Sequence, residues 1–210
     1  MIINWEFIVS SVTAFAAIAA LVLNNRQIKL SNKQHLFDKR LENYIIASGL
    51  LQLYREHSKI INYKIDEPIF SIDMQFMWFT NNSYLEKISS AINNPLHGES
   101  HKELLIKLEG LKEVSTKIKF LFSSKESIIL GDFIFYYQNF LFVMYQYNVL
   151  LQDLKQAAEH EKISFKEAQK LVREDRIRLE LENAFENLKC QEVKIKKNRV
   201  EEKIKRQIVL

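Results

Sequence analysis

Arg26–Tyr44, RQIKLSNKQHLFDKRLENY, follows directly on about nineteen residues that carry no charge. Whether a helix entering this stretch continues through it decides the build of the chain. A break would make a tethered domain, and continuity would make a stiff connector. Ser31 and Gln34 stand in the S/T-x-x-E/Q relation of a capping box, which argues for a new start. Against it, neither Gly nor Pro occurs from Met1 to Ser48, and Leu30, Phe37, Tyr44 and Leu51 recur every seven residues through the joint. Leu41 and Ser48 add a second small row beside them. The reading is a bend or short pause near Ser31, not a full break, so that movement of the following helix would reach the preceding one.

Working outward to the N-terminus, IVSSVTAFAAIAALVL, entered through Phe7, averages roughly 2.4 on the usual hydropathy scale. At about 1.5 Å per residue, Phe7–Leu23 covers about 25 Å, short but sufficient for a bilayer. Trp5 precedes it as an interfacial aromatic. Arg26, Lys29, Lys33, Lys39 and Arg40 follow, opposed by Asp38 alone, which places the C-terminal side in the cytoplasm and the N-terminus outside. A cleaved signal would carry positive charge ahead of the apolar run, and MIINWE has none. A buried core helix is the other alternative. At 100° per residue Ser10, Thr13, Ala17, Ala20 and Asn24 fall within an arc of about 80°. Such a small, weakly polar face suits close helix association in a membrane, or lines an ion path without strong selectivity, although these residues are also ordinary in single spans.

Only 4 Gly and 2 Pro in 210 residues leave few sharp turns, so long helices are expected throughout. The predicted class is all-α: one N-terminal transmembrane helix followed by a cytoplasmic helical bundle. The divisions are an anchor and juxtamembrane segment at 1–30, a helical domain at 31–192 and a basic tail at 193–210. A helix from about Asn32 to Tyr63 carries Leu51, Tyr54 and Ile61 and is stopped by DEP, Asp66–Pro68. A third runs Ser71–Ile92 past the pair Asn81–Asn82. NNPLHGES is a loop, and Leu104, Leu108, Leu111, Ser115, Ile118 and Phe122 then make a packing stripe. Further capping boxes are read at Ser100 with Glu103, Ser123 with Glu126, and Ser164 with Glu167.

A second uncharged run, Phe133–Leu151, has a mean hydropathy of only about 1.0, because Gln138, Asn139, Gln146 and Asn148 interrupt it. Amides at a bilayer centre are costly, and the density of Tyr suits the central helix of a soluble bundle; a second span is the alternative. In the last helix Leu181, Leu188 and Ile195 repeat at seven with Phe185 alongside. That row would face either a partner subunit or its own bundle.

Catalytic chemistry is poorly represented, and the chain reads as a non-enzyme with no cofactor. His97 and His101 flank Gly98 at a spacing that binds zinc on a helix, but here they straddle a loop and a helix start with no third ligand. The single cysteine, Cys190, has no recognisable histidine and acid beside it. Phosphate-binding glycine motifs are absent. The net charge of +4 allows a nucleic-acid or anionic-lipid partner without requiring one. Its basic clusters are Arg26–Arg40, explained by lipid phosphate and topology, and Lys194, Lys196, Lys197, Arg199, Lys203, Lys205 and Arg206. The second is either a solvated tail or a surface for nucleic acid, lipid or an acidic protein.

The order Trp5-Glu6-Phe7, apolar run, then R-Q-I-x-L-S-N-K-Q-x-L-F-D-K-R-L-x-x-Y resembles small bacterial membrane proteins of anti-phage systems, in which a short span joins a helical cytoplasmic domain. It covers Trp5–Tyr44 and is similar to membrane effectors such as the channel-forming subunit of the Hailong defence system. The resemblance implies a homo-oligomer in the inner or plasma membrane, kept quiet by a cytoplasmic ligand such as an oligonucleotide made by a companion enzyme, with loss of membrane potential on release. A tethered scaffold that recruits a protein partner is the competing expectation.

Overall fold

The computed structural model describes residues 5–64, 67–93, 95–96, 98–160 and 164–209, with the side chains of 6–8 and 160 outside the description. Helix α1, Trp5–His57, is a single 53-residue helix that passes through Ser31 without a pause. The capping signature there is a coincidence of residue types: with helix-forming Gln, Lys and Leu on both sides and no Gly or Pro, Ser31 lies exposed inside a helix. The helix predicted to end at Tyr63 instead stops at His57, where Ser58, Lys59 and Ile60 unwind before the Pro68 segment; Asp66 lies outside the described residues.

Helix α2, Ile72–Thr80, and a 3₁₀-helix, Glu86–Ile92, replace the single helix predicted over Ser71–Ile92. The break is made by Asn82, whose side-chain oxygen accepts from the backbone N–H of both Tyr84 (3.0 Å) and Leu85 (2.8 Å). That local bond competes with the helical ladder and ends it. Helix α3, Gly98–Leu121, already contains Ser100, so its capping box does not form; Asn94 and His97 of the preceding loop lie outside the described residues. Helix α4, Lys125–His160, starts one residue later than its predicted cap, with Ser124 Oγ accepting from Ser127 N. Helix α5, Phe165–Leu171, has the complete box: Ser164 and Glu167 each satisfy the other's backbone N–H. Helices α6, Glu174–Lys197, and α7, Val200–Lys205, finish an all-α fold with no strand among the described residues.

The core is organised on α4. Phe133, Tyr137, Phe140, Leu141 and Met144 are buried, ringed by Leu50, Leu51 and Tyr54 of α1, Phe76 and Phe79 of α2, the α3 stripe, and Leu181, Phe185, Leu188 and Ile195 of α6. The row at seven on α6 thus packs into its own bundle. Aromatic rings meet edge-on through this core, as in Phe79 with Phe140 at 5.1 Å and Tyr63 with Phe185 at 5.1 Å. Polar α4 side chains find partners there: Tyr137 donates to Phe79 O and Asn148 to Ile92 O, both at 2.7 Å. Among the described residues two helices, α1 and α4, are long and apolar enough to cross a membrane. They differ in cover: the apolar window of α4 is 61% buried in the bundle and that of α1 is 0% buried.

The boundaries 30/31 and 192/193 do not separate structural elements, because α1 and α6 run across them. The expected tail is instead a packed helical end in which Ile195, Val200 and Ile204 are buried. Its sequence looks solvated because only every fourth or fifth residue is apolar, which is what one narrow seam requires.

Candidate functional site

The first half of α1 stands clear of the bundle. Ser10, Thr13, Ala17, Ala20 and Asn24 are exposed, and so are the large side chains around them, Phe15 at 75%, Leu21 at 69% and Val12 at 63%. Within a lone helix the small face and the bulky face are equally bare. Thr13 Oγ1 donates to Val9 O at 2.8 Å, which satisfies the hydroxyl inside its own helix. Carrying 100° per residue down the unbroken helix, the arc of the small face reaches Ser31, Asp38 and Glu42, all exposed. Tyr44, Ala47, Leu51 and Tyr54 lie roughly opposite and are buried under the bundle. The small face is therefore open as far as Glu42, whereas in the last turns of α1 the bundle also covers that arc, at Gly49 and Leu53.

The cations that follow the apolar run divide into two kinds. Arg26, Lys29 and Lys33 project into solvent from the bare helix, and Lys39 is held by Glu42 at 3.1 Å. Arg40 is a structural clasp: Nε donates to Leu121 O and Nη1 to Gln207 O, both at 2.9 Å, with the guanidinium 5.6 Å from the Phe122 ring centre. One side chain thus ties α1 to the C-terminal ends of α3 and of the chain. Further along, Arg55 bonds Glu192 at 2.9 Å and Glu201 at 2.7 Å. Burial alone would lower the Arg55 pKa, but the two carboxylates outweigh it and hold the guanidinium above its ordinary value.

The C-terminal basic cluster is partly paired by the fold, three of its seven cations meeting a carboxylate. Lys196 pairs with Glu192, Arg199 with Glu202 and Lys203 with Glu126, while Lys205 sits 6.0 Å from the Tyr44 ring. The hydrogen bond from Lys203 keeps the Glu126 carboxyl below its usual range. All seven are exposed, and Lys194, Lys197 and Arg206 have no ion pair with a described residue.

A different charged site was not legible in the sequence. A cleft of about 580 Å³ at the turn from α5 to α6 is lined by Lys166, Gln169, Lys170, Arg173, Asp175 and Arg176. The turn is fixed from below by Glu174, fully buried, whose carboxylate takes a short hydrogen bond from the Tyr147 hydroxyl, one at 2.9 Å from Gln169 Nε2, and the Arg178 guanidinium at 3.3 Å. The Tyr147 oxygen also accepts from Ile69 N at 2.9 Å, and burial first, then Glu174, raises the phenol's pKa. Arg173 adopts left-handed backbone angles, φ 54° and ψ 45°, to make the corner.

Of the remaining candidates, His101 Nδ1 lies 2.7 Å from the Tyr145 hydroxyl, which also accepts from Leu96 N at 2.8 Å. His97 lies outside the described residues, and no cluster able to hold a metal occurs among those described. Cys190 is exposed on α6. Comparison with protein families, with curated proteins and with solved structures returned no match to this chain.

Proposed function

We propose that this protein is a membrane-anchored effector. Phe7–Leu23 crosses the inner or plasma membrane with the N-terminus outside, copies associate through Ser10, Thr13, Ala17, Ala20 and Asn24, and the cytoplasmic bundle governs whether the assembled spans open a pore. The observation that carries the reading is the unbroken α1, bare and apolar at one end and built into the core at the other. Arg26, Lys29 and Lys33 suit an anionic leaflet at the end of the span. The small face is free for neighbours from Ser10 to Glu42, the stretch along which parallel copies would meet. The resemblance of Trp5–Tyr44 to anti-phage membrane effectors makes loss of membrane potential, released by a change in a cytoplasmic ligand or partner, the expected output.

The test is an exchange of Phe7–Leu23 for a poly-leucine span of equal length. Fractionation with membranes should persist while depolarisation, followed with a potential-sensitive dye in expressing cells, is lost. Full depolarisation by the exchanged protein, or by Ala17→Trp, refutes the pore. A second reading, a scaffold whose span only anchors, is favoured by one contact: the Thr13 hydroxyl is already satisfied within its helix and needs no neighbour. It predicts that the exchange leaves function intact.

A further inference from the structure

We infer that the cleft at the α5–α6 corner binds a soluble anion carrying several adjacent phosphates. In sequence the segment K-E-A-Q-K-L-V-R-E-D-R, Lys166–Arg176, interleaves four cations with three carboxylates and gives no sign of a basic site. Folding separates them. Glu167 turns back to close the capping box with Ser164, and Glu174 is buried beneath Tyr147, Gln169 and Arg178. What lines the cleft is Lys166, Lys170, Arg173 and Arg176 against the one carboxylate of Asp175. Arg176 leans on Glu180 at 3.3 Å, whereas Lys166 and Arg173 make no ion pair with a described residue and Lys170 feels only the longer-range charge of Glu167.

The corner holds these cations together although they repel one another. Its backbone is left-handed at Arg173, a conformation disfavoured for a side chain of that size, and the buried Glu174 network sits directly beneath it. Two guanidinium forks and two ammonium groups around about 580 Å³ are the donor set for phosphate oxygens, and the space exceeds a single phosphate.

Lipid phosphate has the same chemistry but cannot reach the site. This step rests on the anchored reading of α1. From Leu23 to the Arg40 clasp, α1 is about 26 Å of bare helix. From there α4 runs the same way as α1, as Phe122 beside Arg40 and Phe133 beside Tyr54 show. Between Glu126 and Tyr147 it advances a further 32 Å, roughly. The cleft thus sits on the order of 50 Å from the headgroups, several screening lengths away.

The experiment titrates inorganic tripolyphosphate into the full chain, in detergent and in neutral lipid nanodiscs, with calorimetric detection. Saturable binding is expected below about 1 mM at low salt. Lys170→Gln with Arg173→Gly should weaken it by about 25-fold, fivefold per cation removed, and glycine keeps the left-handed backbone. Lys166→Gln with Lys170→Gln, which leaves the corner residue untouched, should weaken it to the same extent. Lys194→Gln with Arg206→Gln should change it by less than about twofold. No saturable binding overturns the inference. So does equal weakening in the C-terminal control, which would mean diffuse attraction, and so does competition by phosphatidic acid built into the nanodisc, which would assign the phosphate to lipid. Because binding is read in detergent, it succeeds or fails independently of depolarisation.

Discussion

Tyr147→Phe removes a single oxygen from the centre of the bundle and makes the sharpest test of the interior. That oxygen accepts from Ile69 N at 2.9 Å and donates to Glu174, and both Tyr147 and Glu174 are fully buried. The phenylalanine variant leaves a buried N–H unpaired, which costs about 1–3 kcal/mol, and loses its hydrogen bond to the carboxyl of Glu174 that Arg178 also holds, about 1.5–3 kcal/mol. Gln169 and Arg178 still hold Glu174, so the expected net loss is about 3 kcal/mol. For a body of this size that corresponds to a fall in melting temperature of about 6–12 °C. Urea unfolding of the detergent-solubilised protein, followed by near-ultraviolet circular dichroism, measures it, with Tyr136→Phe at the bundle's edge as a comparison expected to stay within about 0.5 kcal/mol. Tyr147→Phe should also loosen the corner and weaken tripolyphosphate binding. A destabilisation below about 0.5 kcal/mol would refute the assignment of this network as what fixes the α5–α6 turn.

Other expected outcomes follow from the same contacts. Arg40→Ala frees the carbonyls of Leu121 and Gln207 and should cost about 2–4 kcal/mol in the same unfolding assay, with Arg40→Lys restoring no more than half. At Gly131 an added Cβ would fall 2.7 Å from the Lys119 side chain and 2.8 Å from Ser115 O, so Gly131→Ala should destabilise by about 1–3 kcal/mol. Burial pushes Tyr54 up to about 12, and the same cause raises Tyr63, Tyr137 and Tyr147. Since the fold favours their protonated forms, stability is intact below pH 10 and declines as pH climbs towards 12. Phenolate absorbance at 295 nm should accordingly lag an unfolded control across that window. Gln34→Pro, placed in the bare part of α1, should leave bundle stability within about 0.5 kcal/mol and, under the proposed function, abolish depolarisation of expressing cells as followed with the dye.

Sequence periodicity carried the fold where packing and pattern coincide. The α3 stripe, one face of the aromatic run of α4 and the row Leu181, Leu188, Ile195 lie in the core, because a seam repeated at helical spacing has nowhere else to go. Local signatures fared unevenly for a physical reason. A capping box forms only where an extended backbone enters a helix, as at Ser164; at Ser31 and Ser100 the same residue types sit inside a helix, and the polar side chains change nothing. The tail at 193–210 was misread because Val200 and Ile204 are too sparse to signal a core position by themselves. The corner cations were invisible because adjacent charges cancel in any window average, and the burial that separates Glu174 from Arg173 exists only in three dimensions.

An uninterrupted α1 has a mechanical consequence. With the Arg40 clasp as fulcrum, the arm reaching to Trp5 is about 52 Å long. Tilting the bundle by about 10° would sweep the far tip sideways by about 9 Å, close to the distance between neighbouring packed helices. A repacking of modest size among the core aromatics would therefore be magnified, at the other end of the rod, into a whole helix diameter of travel.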